Sequence, residues 1–305
     1  MKAKTSLLKR YKQQLPLQLM VIPGVIFMVI FTYIPIYGIV VAFKSFSVTD
    51  TIASAPWVGL DNFRIAFSDP FFWSAVRNTL AISFLKLLIG FTAPIILAIL
   101  IFELKAGLFK RSVQTISYLP HFLSWIVVGG MLTSWLSTTG LLNSFLMTIG
   151  LLDEPRNFLV EPQSYWMIAV LSDVWKSVGW GTIIYLATMA SIDPTYYEAA
   201  KIDGATKLQQ IWHITLPLMS FIIALMFVLA VGGLLGSNLD QTLVLINPLN
   251  ASRAEVIDSY VYKIGLVQGD FSYATAVGLA ISVISLILVI ITHKITKKLN
   301  NRSIF

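Results

Sequence analysis

Cysteine is absent from this chain of 305 residues, which excludes disulfide bonds, thiolate metal sites and cysteine nucleophiles. Charged residues are scarce at 12%, whereas 56% of the residues are hydrophobic and the mean hydropathy is +0.78. An ordinary soluble domain carries about 25% charged residues. The composition therefore predicts a membrane protein rather than a soluble enzyme or binding domain.

The chain also lacks the motifs that would let it perform chemistry of its own. No Gly-x-x-x-x-Gly-Lys-Ser/Thr sequence is present, so it has no loop of the kind that holds ATP phosphates. No His-Glu-x-x-His is present either, and the three histidines, His121, His213 and His293, are far apart in sequence. We therefore expect no catalytic residue, no metal site and no cofactor in this chain, and energy from ATP would have to come from a partner.

Long apolar runs, in contrast, are abundant. A helix needs about 20 apolar residues to cross about 30 Å of hydrocarbon, and we find six such stretches. They are Leu19–Phe43, Thr79–Phe102, Val113–Leu136, Trp166–Met189, Leu218–Gly236 and Ala274–Thr292. We predict an all-α membrane protein with a tail at residues 1–18 and a single transmembrane domain at residues 19–305.

Lysine and arginine indicate on which side of the membrane each segment lies. Fourteen of them are found in one set of segments: Lys2, Lys4, Lys9, Arg10, Lys12, Lys105, Lys110, Arg111, Lys201, Lys207, Lys294, Lys297, Lys298 and Arg302. Six are found in the other, longer set: Lys44, Arg64, Arg77, Arg156, Arg253 and Lys263. Since cytoplasmic segments carry the excess of positive charge, we expect both termini and residues 190–217 in the cytoplasm. This bias accounts for the net charge of +7, so no nucleic-acid partner is expected.

Residues 190–217 form a polar, helix-forming insert between two apolar stretches. Asp193 can cap a first short helix, and Gly204 can end it. Thr206 and Gln209 have the spacing of a capping box, which predicts the start of a second short helix. We predict a helix-turn-helix whose second helix has an apolar face for another protein or for the membrane surface.

The spacing within this insert resembles a known motif. It reads Glu198-Ala199-Ala200, three residues, Gly204, nine residues, Ile214, one residue and then Leu216-Pro217. This pattern is similar to the "EAA" loop of permease subunits in binding-protein-dependent ATP-binding cassette importers. The likeness extends over nearly the whole chain to sugar permeases of the maltose type, in the polysaccharide and lipoprotein-associated subfamily. The chain departs from these relatives at 236–241, so no substrate contact is carried over there.

The resemblance implies a type I importer permease fold with six transmembrane helices, located in the bacterial plasma membrane. It implies a heterodimer with a second, homologous permease subunit, two ATPase subunits that bind ATP and magnesium, and an extracellular solute-binding lipoprotein. The substrates implied are oligosaccharides, some of them acidic. The chain itself would be a non-catalytic transport subunit that couples ATP hydrolysis in its partners to alternating access.

The same resemblance assigns ATPase coupling to one group of residues in the 190–217 loop. These are Tyr197, Glu198, Ala199, Ala200, Asp203, Gly204, Ile214, Leu216 and Pro217. Small alanines permit close approach of a partner, the glycine provides the break between helices, and the glutamate offers charge-assisted hydrogen bonds.

Charged residues within the predicted spans are a second set of candidates, because charge in a membrane is costly. Lys86 lies in the second span, and Asp173 and Lys176 are three residues apart on one face of the fourth, where they can pair. Together with Trp175 and Trp180 they are candidates to line a path for a polar solute, since sugars bind through hydrogen bonds and aromatic faces. The alternative is a structural ion pair within the helix bundle.

Other functions remain open at this point. The loop motif is shared by permeases for other polar solutes, such as glycerol phosphate or a peptide. A secondary transporter would require internal symmetry or paired acids at the membrane midplane, and a membrane enzyme would require a nucleophile with a base or a metal; neither pattern is visible. The aromatic segment Trp57–Trp73 predicts an interfacial helix or a docking site for a binding protein.

Overall fold

The computed structural model describes residues 7–236 and 238–300. Helices account for the regular secondary structure of these residues, apart from one antiparallel bridge between Lys44 and Trp57. The predicted all-α class is therefore confirmed for the described part of the chain. Three of the charges counted above lie outside the described residues: Lys2, Lys4 and Arg302.

The helices are numbered in chain order. The α-helices are α1 Leu7–Met28, α2 Ile34–Ile36, α3 Asp61–Ser68, α4 Pro70–Leu85, α5 Phe91–Glu103, α6 Leu108–Tyr118, α7 Trp125–Trp135, α8 Leu141–Thr148, α9 Pro162–Ala190, α10 Pro194–Ile202, α11 Lys207–Gln210, α12 Leu216–Gly232, α13 Leu239–Leu245, α14 Ala251–Ala254, α15 Ile257–Tyr262 and α16 Phe271–Asn300. π-helical turns are found at Val29–Tyr33, Lys86–Gly90, Ile211–Thr215 and Lys263–Val267, and 3-10 turns at Tyr37–Phe43 and Leu119–Phe122.

Among the described residues, four helices are long and apolar enough to cross a membrane: Gln14–Phe43, Pro70–Glu103, Lys207–Gly232 and Phe271–Lys298. A fifth span results if the bent pair Leu108–Phe122 and Trp125–Trp135 is counted as one. α9 has 29 residues and is therefore also long enough to cross a membrane. It contains Asp173 and Lys176, however, and is not among the four apolar helices. By length and composition, the described residues thus supply four or five of the six predicted spans.

The third predicted span is not one continuous helix. The chain bends by 101° between Leu108–Phe122 and Trp125–Trp135. Pro120 cannot donate a backbone hydrogen bond, which weakens the helix before the bend. Ser124 then adopts an extended conformation, and its Oγ accepts from the backbone N–H of Val127 at 3.3 Å to begin α7. The prediction of a single helix over 113–136 is therefore wrong.

The fifth predicted span also has different ends. Its helix stops at Gly232 instead of Gly236, and Gly233 follows as the C-cap. At the other end no break separates the span from the loop, since one helix runs from Lys207 through the π-helical turn at Ile211–Thr215 into α12. Pro217, at the expected boundary, lies in the first turn of α12, where its missing N–H costs little.

The predicted interfacial helix within 57–73 is observed as α3, and Asp69 separates it from α4. The Asp69 carboxylate accepts from the backbone N–H of Phe71 at 2.8 Å, so the second long helix begins at Pro70 rather than near Thr79. The location of α3 at a membrane interface stays a prediction.

Close contacts group the chain into two compact units, one reaching Ala66 and including 264–279, the other comprising 67–263 and the chain from Ala280. In the first unit, the buried Asn62 amide donates to the carbonyl oxygens of Ala42 and Lys44 at 2.9 and 3.0 Å. These bonds fix the chain after the Tyr37–Phe43 turn.

The second unit is organised around α9. This helix packs closely against its neighbours through glycines: a Cβ added to Gly181 would lie 3.0 Å from Cγ of Pro94 in α5, and one added to Gly179 would lie 1.9 Å from the carbonyl oxygen of Ser117 in α6. At Gly179, only a residue without a side chain permits so close an approach of the two backbones, whereas Gly181 makes room for the Pro94 side chain. α9 thereby connects α5 and α6.

The contact at Gly179 leads to a prediction about stability. Gly179→Ala places a methyl group against the backbone of α6, and we expect the free energy of unfolding to fall by about 1–3 kcal/mol, as in overpacked cores. Gly130→Ala is the matched control in α7, because no atom lies within 4 Å of the added Cβ. Thermal unfolding in detergent checks both variants. Equal melting temperatures for the two would contradict the observed packing.

Candidate functional site

The 190–217 loop folds as its local sequence predicts. The backbone N–H of Thr195 donates to the Asp193 carboxylate at 2.9 Å, which begins α10 and lowers the pKa of Asp193. Gly204 follows α10 with φ of +77°, a conformation that favours glycine. The predicted first short helix and the turn at Gly204 are thus confirmed, whereas the second helix is not a separate short one, because it continues from Lys207 to Gly232.

The second short helix begins with the predicted capping box. Oγ1 of Thr206 accepts from the backbone N–H of Gln209 at 3.3 Å, and Oε1 of Gln209 accepts from the backbone N–H of Thr206 at 2.7 Å. Because α11 continues into α12, this capped end is also the end of a membrane-length helix. α11 and the cavity-lining α12 are therefore parts of one continuous helix.

Side-chain contacts hold the two short helices to the base of the long ones. The hydroxyl of Tyr197 lies 3.0 Å from Oγ1 of Thr215, which is buried at the start of α12. The ammonium of Lys207 lies 2.5 Å from Oε2 of Glu103 at the end of α5. The buried Gln210 donates from Nε2 to the carbonyl oxygen of Ala205 at 3.1 Å. These bonds tie the turn between the helices to the ends of α5 and α12.

The outer surface of the loop combines apolar and charged side chains. Ile202, Leu208 and Trp212 are 86%, 64% and 62% exposed. Of the predicted coupling residues, five are exposed: Glu198, Ala199, Asp203, Gly204 and Pro217. The other four are half-buried: Tyr197, Ala200, Ile214 and Leu216. Large apolar side chains on an otherwise polar segment are typical of a surface that binds a partner.

A second feature is a cavity of about 380 Å³ between α4, α5, α9 and α12. Polar groups and aromatic rings occupy its wall, including Lys86, Asp173, Ser177, Trp180 and Tyr185. α12 contributes an apolar side with Met226, Leu229 and Ala230. Such a mixture of a few polar groups with apolar surface is typical of a pocket for a small polar solute.

The charged centre of this wall is an ion pair that the sequence did not predict. The ammonium of Lys86 lies 3.3 Å from Oδ2 of Asp173 and 3.1 Å from Oε1 of Gln241. Asn238 donates to Oδ1 of Asp173 at 3.5 Å. The predicted pair of Asp173 with Lys176 is wrong. Asp173 in α9 pairs instead with Lys86 in the π-helical turn after α4, and the Lys176 ammonium contacts the carbonyl oxygen of His121.

Lys176 lies among aromatic rings at the bend between α6 and α7. Its ammonium donates to the carbonyl oxygen of His121 at 2.7 Å and lies 5.7 Å from the ring centre of Trp125. Trp180, one helical turn along α9, stacks on His121 with ring centres 4.6 Å apart. Of the five predicted path residues, only Lys86, Asp173 and Trp180 line the cavity; Trp175 and Lys176 do not.

Sequence analysis missed the residues that complete the charged cluster. Gln241 is buried, and its Nε2 donates to the carbonyl oxygen of Ala169 and to Oγ of Ser172 at 2.7 and 2.9 Å. Asn238 and Gln241 do have cap spacing, and the backbone N–H of Gln241 donates to Asn238 at 3.3 Å. That signal predicts a helix start, but it does not predict that Gln241 contacts Lys86, which is far away in sequence.

Comparison of the sequence with known proteins finds similarity over almost all of it. The family described as "Binding-protein-dependent transport system inner membrane component" matches residues 90–301. The polygalacturonan/rhamnogalacturonan transport system permease protein YteP of Bacillus subtilis is 40% identical over 299 residues, which cover 98% of this chain and 93% of that protein. Protein LplB of the same organism is 39% identical over 289 residues, covering 95% of this chain and 91% of that protein.

Solved structures agree with this result. A chain in the crystal structure of a bacterial ABC transporter involved in the import of the acidic polysaccharide alginate is similar with a TM-score of 0.87 and 37% identity, covering 96% of this chain and 99% of that one. A chain from the alginate transporter in complex with an alginate pentasaccharide-bound periplasmic protein gives a TM-score of 0.89 and 35% identity, covering 98% and 100%. The likeness therefore concerns the whole fold and not the 190–217 loop alone.

The ion pair in the cavity wall generates a second prediction. Lys86→Met leaves the partly buried Asp173 carboxylate without its cation, so we expect the free energy of unfolding to fall by about 1–3 kcal/mol. The double variant Lys86→Met with Asp173→Asn removes both charges and should recover most of this loss. Thermal unfolding in detergent measures each variant.

Arg64→Met is the control for these variants, because Arg64 pairs with Asp61 at 3.1 Å and the two side chains are 80% and 58% exposed. Such exposed pairs contribute less than about 1 kcal/mol. If Lys86→Met melts at the same temperature as Arg64→Met, the cavity pair does not stabilise the fold.

Proposed function

This chain belongs to the family of binding-protein-dependent transport system inner membrane components and has its type I permease fold, and we propose that it is the permease subunit of an ATP-driven importer of oligosaccharides. ATP and magnesium would be bound by a partner ATPase, and this chain would convert closure of that ATPase into alternating access. The proposal includes six spans, with α9 and the bent α6–α7 pair added to the four apolar helices, and both termini in the cytoplasm.

The exposed apolar surface of the 190–217 loop carries this proposal. Ile202, Leu208 and Trp212 lie close to exposed charges at Glu198 and Lys207, so the loop combines apolar anchors with a polar surround. This composition resembles the centre and rim of a protein interface. We assign the ATPase subunit as its occupant, since the resemblance places the coupling residues in the same segment.

The continuous helix Lys207–Gly232 supports a mechanical connection from this surface to the cavity. Its first turn carries Leu208, and its last turns carry Leu229 and Ala230 of the cavity wall. A helix transmits displacement along its axis without a hinge where its backbone bonds are unbroken. Closure of a partner around the loop would thus move one wall of the cavity.

An oligosaccharide is the substrate class that the cavity and the relatives support together. Sugars offer hydroxyl groups to polar side chains and C–H faces to aromatic rings, and the cavity supplies both kinds of group. The permease YteP is named for polygalacturonan and rhamnogalacturonan, and the alginate transporter was solved with an alginate pentasaccharide-bound periplasmic protein. We propose an extracellular solute-binding lipoprotein and a second, homologous permease subunit as the further partners.

A single substitution of a leucine tests whether the ATPase binds at this surface. Leu208→Glu places a charge in the centre of the proposed interface, and we expect at least tenfold less ATPase subunit to be retained when the affinity-tagged chain is purified in mild detergent. Leu151→Glu is the matched control, because Leu151 is 70% exposed and lies after α8, away from the loop. It should retain the ATPase at the wild-type level.

Two outcomes would contradict the proposal. If the wild-type chain purifies without any nucleotide-binding subunit and still transports solute, the importer assignment fails. If Leu208→Glu retains the ATPase as well as Leu151→Glu does, this face of the loop contacts the membrane surface rather than the ATPase.

The bond between Tyr197 and Thr215 yields a prediction about coupling. Tyr197→Phe removes one hydroxyl and a hydrogen bond worth about 0.5–1.5 kcal/mol, which loosens α10 from the base of α12. We expect the number of oligosaccharides imported per ATP hydrolysed to fall about two- to tenfold. Tyr196→Phe makes the same change at the exposed neighbouring position and should leave that ratio unaltered. Proteoliposomes that contain the full transporter provide the measurement.

A further inference from the structure

The turn between α5 and α6 combines cations with exposed apolar side chains. Leu108 and Phe109, at the start of α6, are 82% and 69% exposed, and Lys105 and Arg111 on either side of them in the sequence are exposed as well. Leu108 and Arg111 are three residues apart and therefore lie on the same face of α6. We call these four residues the α5–α6 patch.

The patch follows the end of a membrane-length helix. Pro70–Glu103 is long and apolar enough to cross a membrane, and no charged residue is found between Lys86 and Glu103. Charges resume at Glu103 and Lys105, which is the change expected where hydrocarbon ends and headgroups begin. Since the chain then enters the next apolar helix, 108–122, the turn has the position of a short connection at a membrane boundary.

Contacts within the protein hold this turn in place. The Lys110 ammonium donates to the carbonyl oxygens of Phe102 and Leu104 at 3.3 and 3.4 Å, so its charge stabilises the end of α5. Glu103, the acid of the turn, pairs with Lys207 of α11. Both charges are therefore engaged in the fold, and the turn lies on the same side of the protein as α11.

Lys105 and Arg111 are not engaged in this way. No carboxylate oxygen of the described residues lies within 4.0 Å of either side chain. An unpaired cation on a surface is common and would by itself indicate only contact with water. Here the two cations flank Leu108 and Phe109, whose contact with water is unfavourable. A ligand that fits the patch must offer negative charge and apolar surface side by side.

An anionic phospholipid meets both requirements. Its phosphate lies at the membrane boundary, where long basic side chains reach it from a helix surface, and its acyl chains begin directly beneath it. A protein partner would need an acidic groove that also accepts two large, protruding apolar side chains. Continuity with the apolar helix favours the lipid, because Ile116 and Leu119, 71% and 63% exposed, extend the exposed apolar surface beyond the patch.

We propose that the α5–α6 patch binds the headgroup of an anionic phospholipid in the leaflet next to the 190–217 loop. Lys105 and Arg111 donate to the phosphate oxygens, and Leu108 and Phe109 lie among the first acyl carbons. Through the Lys207–Glu103 pair, the lipid also holds the start of α11 near the membrane boundary. Lipid binding at this turn does not depend on which solute is transported.

A fluorophore beside the patch tests this site. The chain has no cysteine, so Ser112→Cys provides a single labelling position, which is exposed and one helical turn beyond Leu108. The complete transporter, with its partner subunits made cysteine-free, is reconstituted with spin-labelled phosphatidylglycerol or spin-labelled phosphatidylcholine as the quencher. We expect the anionic lipid to quench at least about fivefold more effectively than the zwitterionic lipid when the quencher is a minor component.

Three double variants identify the groups responsible. Lys105→Gln with Arg111→Gln removes both charges and should reduce the preference for the anionic lipid to less than about twofold. Lys105→Arg with Arg111→Lys keeps both charges and should retain most of the preference. Arg156→Gln with Lys263→Gln is the matched control, because it changes the net charge equally at two exposed side chains that are expected on the opposite side of the membrane. It should leave the preference unchanged.

Three results would contradict the lipid site. Equal quenching by the two lipids in the otherwise unaltered chain would show that the patch lies among acyl chains without recognising charge. Weak quenching by both lipids would exclude a lipid partner: quenching by iodide would then show an exposed turn, and protection from iodide would show a protein partner. An undiminished preference after Lys105→Gln with Arg111→Gln would show that other residues attract the anionic lipid.

Discussion

The ammonium of Lys86 lies between the Asp173 carboxylate and the amide oxygen of Gln241, and the rest of the cavity depends on this arrangement. Three parts of the chain meet at these side chains: the π-helical turn after α4, the middle of α9, and α13. Partly buried charges in a helix bundle are stabilised when they pair with polar groups of the protein. Because the three side chains contact one another, they connect these three parts of the chain on the cavity side. The apolar wall from α12 then closes the opposite side of the cavity.

A second constraint is the absence of a break between α11 and α12. A capped helix end outside the apolar region is mechanically part of the same helix that lines the cavity. The proposed mechanism needs no flexible linker, since one continuous helix reaches from the proposed ATPase-binding surface to the cavity. The Lys207–Glu103 pair attaches this helix to α5, and the Tyr197–Thr215 bond attaches α10 to it. Motion of the loop would therefore displace α5 and α12 together.

The sequence-based predictions succeeded where the interacting residues are close together in sequence and failed where they are far apart. The caps at Asp193 and Thr206 and the turn at Gly204 were predicted correctly, because these features depend on residues at most three positions apart. The bend near Ser124 and the early end of α12 were missed because apolar composition does not mark them.

The partner of Asp173 was predicted wrongly, since the choice between Lys176 and Lys86 depends on how α9 packs against another helix. Gln241 gave a cap signal but no sign of its burial. The coupling residues came from resemblance to a family, and their roles remain proposals.

The π-helical turns described above have a consequence for comparing this chain with its relatives. Each such turn accommodates one residue more than a regular α-helix would, and at 3.6 residues per turn one extra residue rotates everything after it by about 100°. In the described part of the chain, such turns begin at Val29, Lys86, Ile211 and Lys263. A homologue that lacks the extra residue would keep the length of its membrane span but present a different face to its neighbours. A single-residue deletion at one of these four places would therefore change the helix phase, so the side chains that follow would face in a new direction although the amino acids themselves stay the same.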